Sequence, residues 1–360
     1  MSVGELTQRD RFVNTLLLVL LVFLGASGIV VLYGAWFPWL FELHRMAGFA
    51  LIALLPWKGW TVYRSLSRGM QRTFDRSFVI FVSLVFAHFL LIIIILGIIW
   101  MWRIGPYSSL GQTLIAWHWI LGLLALPFLV FHAWRRWPGP QKQDFISRRS
   151  FLKLVGVAGA GLVFGGLASR LGDAQATEQR PRRFTGSRGF GLFSGNEYPI
   201  FGESTAVLDP QKWRLRITGA VRSPLVLTYD QILAIPPQFM NAVIDCTSGW
   251  YSIQDWQGIP LAELLALAGA KEGVAGVRLV SATAYNQSFP IDEAREILLA
   301  THVSGEALAP RHGFPLRAVV PGRRGWFWVK WLSRIDILED LAQVAAGVIS
   351  SPRQVLRQWR

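Results

Sequence analysis

Cys246 is the only cysteine in the 360-residue chain. A soft thiolate suits a high-valent metal that cycles between oxidation states. It stands in Val243-Ile244-Asp245-Cys246-Thr247-Ser248-Gly249-Trp250-Tyr251, at the end of a β-like run. Gly249 leaves the following turn free to take dihedrals other residues avoid. A lone cysteine is ordinarily a small buried apolar group, and Cys246 by itself would read that way. It does not stand by itself: His312-Gly313-Phe314-Pro315-Leu316-Arg317 and then Gly325-Trp326-Phe327-Trp328-Val329-Lys330-Trp331-Leu332 follow in order. One cysteine excludes an intramolecular disulfide. An unliganded thiol outside the cytoplasm would be open to oxidation, which metal ligation prevents.

A second set of chemistry-bearing residues lies far upstream. Four of the six histidines, His44, His88, His118 and His132, fall in the first 135 residues. His118 and His132 share one expected helix, 14 residues apart. They therefore point to nearly the same side, about 21 Å apart along the axis. Two stacked haems need that spacing, and two axial imidazoles favour electron transfer over oxygen binding. His44 opens the second apolar stretch level with His118. His88 lies within the third and is the depth partner of His132, some residues short of the ideal depth. A single membrane histidine reads as a helix-end cap or a packed residue. Four at compatible depths read as ligands of haem iron.

The elements that must position these groups follow from hydropathy. Hydrophobic residues make up 52% of the chain, charged residues 16%, and the mean hydropathy is +0.37. Apolar stretches at residues 12–32, 43–62, 78–102 and 114–134 each have roughly the 20 residues of a bilayer crossing. Trp36, Trp39, Trp57, Trp60, Trp100, Trp102, Trp134 and Trp137 mark their ends, as interfacial aromatics do. Arg64, Arg68, Arg72 and Arg76 follow the second stretch; Arg135, Arg136, Lys142, Arg148 and Arg149 follow the fourth. The first loop has no Lys or Arg and the third only Arg103. The positive-inside rule therefore places both ends of the four-span unit in the cytoplasm. The formal charge of +14 is explained by these flanks, which argues against a nucleic-acid partner.

Ser147-Arg148-Arg149-Ser150-Phe151-Leu152-Lys153 precedes a Gly/Ala-rich apolar run to Leu171. It resembles a twin-arginine export signal; the plainer alternative is a fifth membrane helix with a basic flank. Either sends the remainder out of the cytoplasm. Ala174-Gln175-Ala176 is a candidate cleavage site, and the run could equally remain as an anchor. The domain reading is 1–137 membrane unit, 138–176 signal or fifth helix, 177–195 linker, 196–338 globular domain and 339–360 tail, whose Arg353, Arg357 and Arg360 suit a membrane surface. In the globular part, residues 213–221, 277–284, 316–320 and 326–337 read as strands. Thr228-Tyr229-Asp230-Gln231 reads as a capping box, and Pro260 and Gly269 bracket a helix over 261–268. Strands mixed with short helices, without regular alternation, indicate an α+β domain.

The ordered set of Cys246, the His312–Arg317 motif and the Val329-Lys330-Trp331-Leu332 run resembles the sulfite oxidase superfamily of molybdenum-pterin enzymes, bacterial periplasmic methionine-sulfoxide reductases included, over about residues 196–338. Residues 10–137 resemble the cytochrome b subunits of bacterial formate dehydrogenases and hydrogenases. The resemblance implies an N-terminal all-α transmembrane four-helix bundle plus a C-terminal α+β sulfite-oxidase-like molybdopterin domain. It implies Mo-molybdopterin held by Cys246 at the metal, with Asn196, Tyr198, Ser281, His312, Arg317, Val329 and Lys330 around the pterin. Arg317 and Lys330, on neighbouring strands, would supply the cations its phosphate needs, and His312 a donor. Tyr285 is expected to line the pocket as a proton donor.

Where family sulfite oxidases carry an arginine after the cysteine, this chain has Thr247 to Tyr251 and then Trp256. That favours a neutral sulfoxide over a sulfite dianion, unless Trp250 and Trp256 are plain core. Arg323 and Arg324 either restore positive charge or form a solvated turn. The implied function is a molybdenum oxidoreductase of the bacterial cytoplasmic membrane, with its catalytic domain on the extracytoplasmic side. It would reduce a sulfoxide-type substrate with electrons from membrane quinol through one or two b haems. The alternatives are oxidation of sulfite or another substrate in the reverse direction, and a haem electron-transfer protein with a non-catalytic outer binding domain.

Overall fold

The computed structural model describes residues 8–32, 38–67, 74–102, 108–109, 112–144, 148–174, 182–189, 193, 195–200 and 205–346. Arg68, Arg72, Arg103, Ser147, the Gln175-Ala176 cleavage position, much of the expected linker, and Arg353, Arg357 and Arg360 lie outside the described residues. The chain forms two compact units, Met1–Arg188 and Gly189–Arg360.

The first unit is helical: α1 (Gln8–Leu32), α2 (Pro38–Ser67), α3 (Phe74–Trp102), α4 (Leu114–Arg136) and α5 (Arg148–Ala174), with a two-strand turn of β1 (Ser108–Ser109) and β2 (Gln112–Thr113) before α4. The first four each contain a segment long and apolar enough to cross a membrane. In α5 only Val155–Ala168 is continuously apolar, because glycines dilute the run. Two of these glycines serve packing: a Cβ on Gly161 would lie 2.8 Å from Met46 O, and one on Gly165 3.1 Å from Met46 Cγ. Small residues one turn apart thus let α5 approach α2 closely, as at membrane helix interfaces. α1 packs on α2 and α3 on α4. Thr113 caps α4, its Oγ1 accepting from Ala116 N at 3.2 Å. Arg11 forks onto the buried Asp144 carboxylate at 3.1 and 3.0 Å, tying the start of α1 to the turn after α4 with the strong bidentate geometry.

The second unit contains two sheets. One runs β5 (Leu225–Thr228), β4 (Arg214–Gly219), β13 (Leu332–Leu338), β8 (Gly276–Ser281), β9 (Asn286–Pro290), with β13 and β4 parallel and the rest antiparallel. In the other, β10 (Leu298–Val303) lies between β7 (Trp250–Pro260) and the short β11 (Glu306–Ala307) and β12 (Arg317–Val319). β6 (Gln238–Asp245) pairs along β7, and β3 (Arg188–Gly189) lies at the boundary of the two units. Leu215, Ile217, Val277, Leu279, Ile335, Trp256 and Leu299 are fully or nearly fully buried. In β4 Leu215 and Ile217 alternate with less buried neighbours, as a half-buried strand requires, whereas β10 is buried along nearly its whole length.

Helix α6 (Tyr229–Ala234) packs on β5, α7 (Leu261–Leu267) on β7, α8 (Ile291–Ala294) on β8 and β9, and α9 (Leu341–Ala346) on β8, β9 and β13. The reciprocal Thr228–Gln231 capping box forms at α6, an arrangement worth about 1 kcal/mol.

Four strand expectations are corrected. The 213–221 strand is trimmed to Arg214–Gly219. The 277–284 strand stops at Ser281, because Ala284 turns with φ 72°. The 316–320 strand is reduced to Arg317–Val319. The 326–337 run is not one strand: Gly325–Phe327 is a 3-10 turn, Trp331 has φ 52°, and β13 begins at Leu332. Bulky aromatics mimic strand composition there, but Trp328 Nε1 donates back to Arg323 O at 3.2 Å and holds the turn.

Candidate functional site

Cys246 occupies the tip of the β6–β7 hairpin. Its N–H donates to Trp250 O at 2.8 Å, Gly249 N donates back to Cys246 O at 3.0 Å, and Gly249 has φ 86°. That left-handed conformation closes the turn without strain only for glycine. The hairpin therefore projects the cysteine from the end of its strand, where the sequence places it. Sγ accepts from Ser248 N at 3.4 Å. Burial pushes the thiol pKa up, against the opposing pull of the Ser248 backbone and hydroxyl and of Arg324. A positive metal would reverse that balance and hold the thiolate.

The 323–327 turn lies against this hairpin. Arg324 pairs with Asp245 at 3.1 Å, both 5% exposed, and its Nη2 donates to Cys246 O at 3.0 Å. A Cβ on Gly325 would lie 3.4 Å from Asp245 O and 3.6 Å from Cys246 Cα. Arg323 is forked onto Glu293 at 2.6 and 2.7 Å. Each of these arginines is paired with a carboxylate, Arg324 buried and Arg323 partly exposed. Tyr285 OH donates to Trp326 O at 2.5 Å and accepts from Gln287 Nε2 at 2.7 Å. The Tyr285 hydroxyl thus pins the 325–327 turn from a partly exposed side chain.

A second cluster surrounds His312. Asn196 Oδ1 accepts from Ala309 N at 2.7 Å and its Nδ2 donates to Ala307 O at 2.9 Å, which fixes the amide orientation. The contact of His312 Nδ1 with Asn196 Oδ1 at 3.2 Å is therefore an N–H donation. His312 Nε2 is left as an acceptor in the neutral ring, not the donor that was expected. Tyr198 stacks on His312 at 3.9 Å and 12°. Arg317 Nη1 donates to Tyr198 OH at 2.5 Å and His312 O at 2.9 Å. Its guanidinium lies over the rings of Trp256 at 5.2 Å, Trp328 at 5.7 Å and Tyr198 at 5.9 Å. Burial, then Arg317, Arg311 and Lys330, lower the His312 pKa to about 3.

Lys330 is not on a strand beside Arg317 as expected. It sits in the turn before β13 and donates to Arg311 O at 3.3 Å. Gly313, with φ 110°, brings the two cations together: a Cβ there would lie 3.0 Å from Arg317 Cβ and 3.1 Å from Lys330 Cβ. Two expected residues do not present free groups. Ser281 Oγ closes its own turn with Thr283, 3.0 Å from its hydroxyl and 3.1 Å from its N–H. Val329 is fully buried, and its backbone bonds Ala318 and Phe327.

Trp256 is core, with Nε1 donating to Ala242 O at 3.3 Å. Trp250 is equally buried, stacks obliquely on Tyr198 at 5.8 Å, and keeps Nε1 without a partner. His312 Nε2 and Arg317 Nε are likewise buried without partners. Buried polar atoms are almost always satisfied, so three orphans around one tyrosine mark where a polar ligand completes the fold. Their chemistry, one acceptor and two donors beside a cationic cradle, fits a pterin with its phosphate. In the sequence, only the position of Trp250 after the cysteine turn points to this role.

In the helical unit, His44 and His118 face each other with ring centroids 6.3 Å apart. His118 Nδ1 donates to Ile93 O at 2.8 Å. Ser27 gives its hydroxyl hydrogen to Phe23 O at 2.7 Å, so it accepts from His44 Nδ1 at 2.8 Å. Both Nε2 atoms are thereby bare, the state outer hydrogen bonds enforce on metal-ligating histidines, and the pair fits haem iron. By the same reasoning Ser83, which donates to Val79 O at 2.7 Å, accepts from His132 Nδ1 at 2.9 Å. His88 does not join His132. It is exposed, and its Nδ1 bonds Leu84 O of its own helix at 2.7 Å.

Residues 202–344 match the family described as oxidoreductase molybdopterin binding domain. The uncharacterized oxidoreductase YuiH of Bacillus subtilis (strain 168) is 34% identical over 135 residues, covering 37% of this chain and 68% of that protein. The protein-methionine-sulfoxide reductase catalytic subunit MsrP of Gluconobacter oxydans is 27% identical over 239 residues, 57% of this chain and 75% of that protein. Nitrate reductase [NADH] 1 of Nicotiana tabacum is 29% identical over 160 residues, 35% of this chain but 18% of that enzyme. The chain, with its four apolar N-terminal helices and α+β C-terminal unit, belongs to the molybdopterin-binding oxidoreductase family and is a molybdopterin-dependent oxidoreductase.

Proposed function

We propose that this protein is a membrane-bound molybdenum oxidoreductase that removes an oxygen atom from a neutral, sulfoxide-type substrate, with electrons drawn from membrane quinol through b haem. The observation that carries the substrate class is the neutralisation of both arginines near the cysteine, Arg323 by Glu293 and Arg324 by Asp245. A sulfite dianion needs cationic donors at the metal that are not already matched, whereas a sulfoxide needs none. The name of the Gluconobacter relative agrees with this reading.

When bound, the molybdenum supplies two-electron oxygen-atom transfer. The chain supplies position and electrostatics. Cys246 presents one thiolate from a rigid hairpin tip. The Asp245–Arg324 pair fixes the backbone on either side of it. Asn196 and Tyr198 orient His312, whose Nε2 would accept from the pterin, and Arg317, Lys330 and Arg311 would counter its phosphate. Trp250 offers its indole N–H. His44 and His118 would hold the haem iron. Basic flanks support a cytoplasmic position for the ends of the four-span unit, and the twin-arginine-like segment supports a catalytic unit outside the cytoplasm.

The test is an anaerobic assay of detergent-purified full-length protein. Reduced dye should be consumed with small dialkyl sulfoxides, and oxidised dye should not be reduced by sulfite. Sulfite turnover without sulfoxide turnover would overturn the substrate class.

A further inference from the structure

The two histidine layers of the helical unit differ in what they set opposite each imidazole, which bears on the number of haems. On α4 the step from His118 to His132 spans 14 residues. It turns the side chain by only about 40° and descends about 21 Å. The same step on α2 leads from His44 to Lys58. One layer therefore sets imidazole against imidazole. The other sets an imidazole toward an ammonium group.

The first layer is built for an iron. Both rings are held from behind at Nδ1, by Ser27 and by Ile93 O. The residues beside them are glycines: a Cβ on Gly28 would lie 3.5 Å from His44 Cε1, and one on Gly97 3.1 Å from His118 Cε1. A planar macrocycle between the rings needs small residues at these edges.

Among the described residues, the second layer offers His132 no partner of that kind. Lys58 and Arg136 act on it electrostatically. Lys58 Nζ is engaged by Asn14 Oδ1 of α1 at 2.7 Å, and Thr61 nearby donates to Asp10 Oδ1 at 3.3 Å. An ammonium has no lone pair for iron. α3 contributes Ser83, bonded to His132 Nδ1, and Phe86, stacked on its ring at 5.8 Å. His88 is five positions beyond Ser83 and two beyond Phe86, so it points about 140° to 200° away from that face. α1 carries no histidine.

We propose that the helical unit binds one b-type haem, between His44 and His118, and that His132 is a hydrogen-bonded member of a polar layer with Ser83, Lys58 and Asn14 rather than an axial ligand. The proposal rests on the haem reading, and its test separates the two.

Full-length protein purified in detergent is assayed for haem per chain by pyridine haemochrome absorbance, and its reduction is followed by potentiometric titration of the α-band. One haem per chain and a single one-electron wave are expected. His44→Ala and His118→Ala should lose the haem, while His132→Ala and His88→Ala should keep all of it. Two haems per chain, two waves in the unsubstituted protein, or loss of half the haem in His132→Ala would overturn the count while leaving the haem reading intact. Absence of any haem would overturn the haem reading and the count with it. The titration of the unsubstituted protein decides the matter even where a variant fails to fold.

Discussion

Replacing Asp245 by asparagine should be the most damaging conservative change near the cysteine. Asp245 and Arg324 are each 5% exposed and meet at 3.1 Å, so the substitution leaves a guanidinium buried beside a neutral amide. Removing one partner of a buried ion pair costs about 3–5 kcal/mol, chiefly because the remaining charge is stranded. The bond from Arg324 Nη2 to Cys246 O at 3.0 Å survives, which puts the expectation at the lower end, about 3 kcal/mol. For a unit of this size each kcal/mol moves the midpoint by about 2–4 °C, so Tm should fall by about 6–12 °C. Differential scanning calorimetry of the purified full-length protein measures it. The double variant Asp245→Leu with Arg324→Met should recover most of the loss, since apolar replacement of a buried pair is often neutral. Asp245→Asn also unmasks a positive charge behind the thiolate, so sulfite should become a detectable reductant of oxidised dye. A Tm within about 2 °C of the parent, or a double variant no better than the single one, would refute the claim that this pair clamps the cysteine hairpin.

Cys246→Ser should abolish turnover and lower molybdenum content by elemental analysis while leaving the haem absorbance unchanged; retained activity would remove the thiolate from the chemistry. Gly313→Ala places a Cβ 3.0 Å from Arg317 Cβ at φ 110°, a strain of about 1–3 kcal/mol, and should reduce pterin retained after gel filtration, read by fluorescence of the released pterin. In cofactor-free protein the pKa of His312 lies below its ordinary value, at about 3. Its contribution to stability is therefore complete above the unfolded-state value of about 6.5 and is lost as pH falls from there towards 3. Denaturant midpoints measured between pH 7 and pH 4 should fall less in His312→Gln than in the parent, and equal slopes would count against the buried neutral ring.

Much of the fold was legible because local rules agreed with tertiary ones. The Thr228–Gln231 box caps α6, and Pro260 with Gly269 brackets α7. Gly249 turns the hairpin that carries Cys246, and the motif from His312 to Arg317 folds around Gly313 as a cation cradle. What was not legible involves partners distant in sequence. Arg323 and Arg324 looked like a solvated or substrate-facing pair because Glu293 and Asp245 lie 30 and 79 positions upstream. Nothing local shows that the Tyr285 hydroxyl reaches Trp326 O, 41 positions away. The aromatic run from Trp326 to Trp328 has strand composition, yet side-chain packing and the Trp328 to Arg323 O bond decide its backbone.

His88 shows the limit most sharply. Depth in an apolar helix can be counted from sequence, and by depth His88 is a tolerable partner for His132. Azimuth can be counted only against a reference residue known to face inward, and an apolar helix such as α3 is hydrophobic all round, which removes that reference. Once Ser83, Phe86 and Gly97 are known to face His132 and His118, the angle to His88 follows by arithmetic and excludes it. The same arithmetic on α2, anchored at His44, brings Lys58 to the position a second iron would need. An ionisable side chain on a membrane helix is retained for a reason, and its bond to Asn14 ties α2 to α1 in the layer where a haem would otherwise do so. Lys58→Met should therefore loosen the α1–α2 contact, lowering the temperature at which haem absorbance is lost without changing the amount bound at 20 °C on the order of one per chain. A fall in that amount would place Lys58 at a haem and contradict the single-site count.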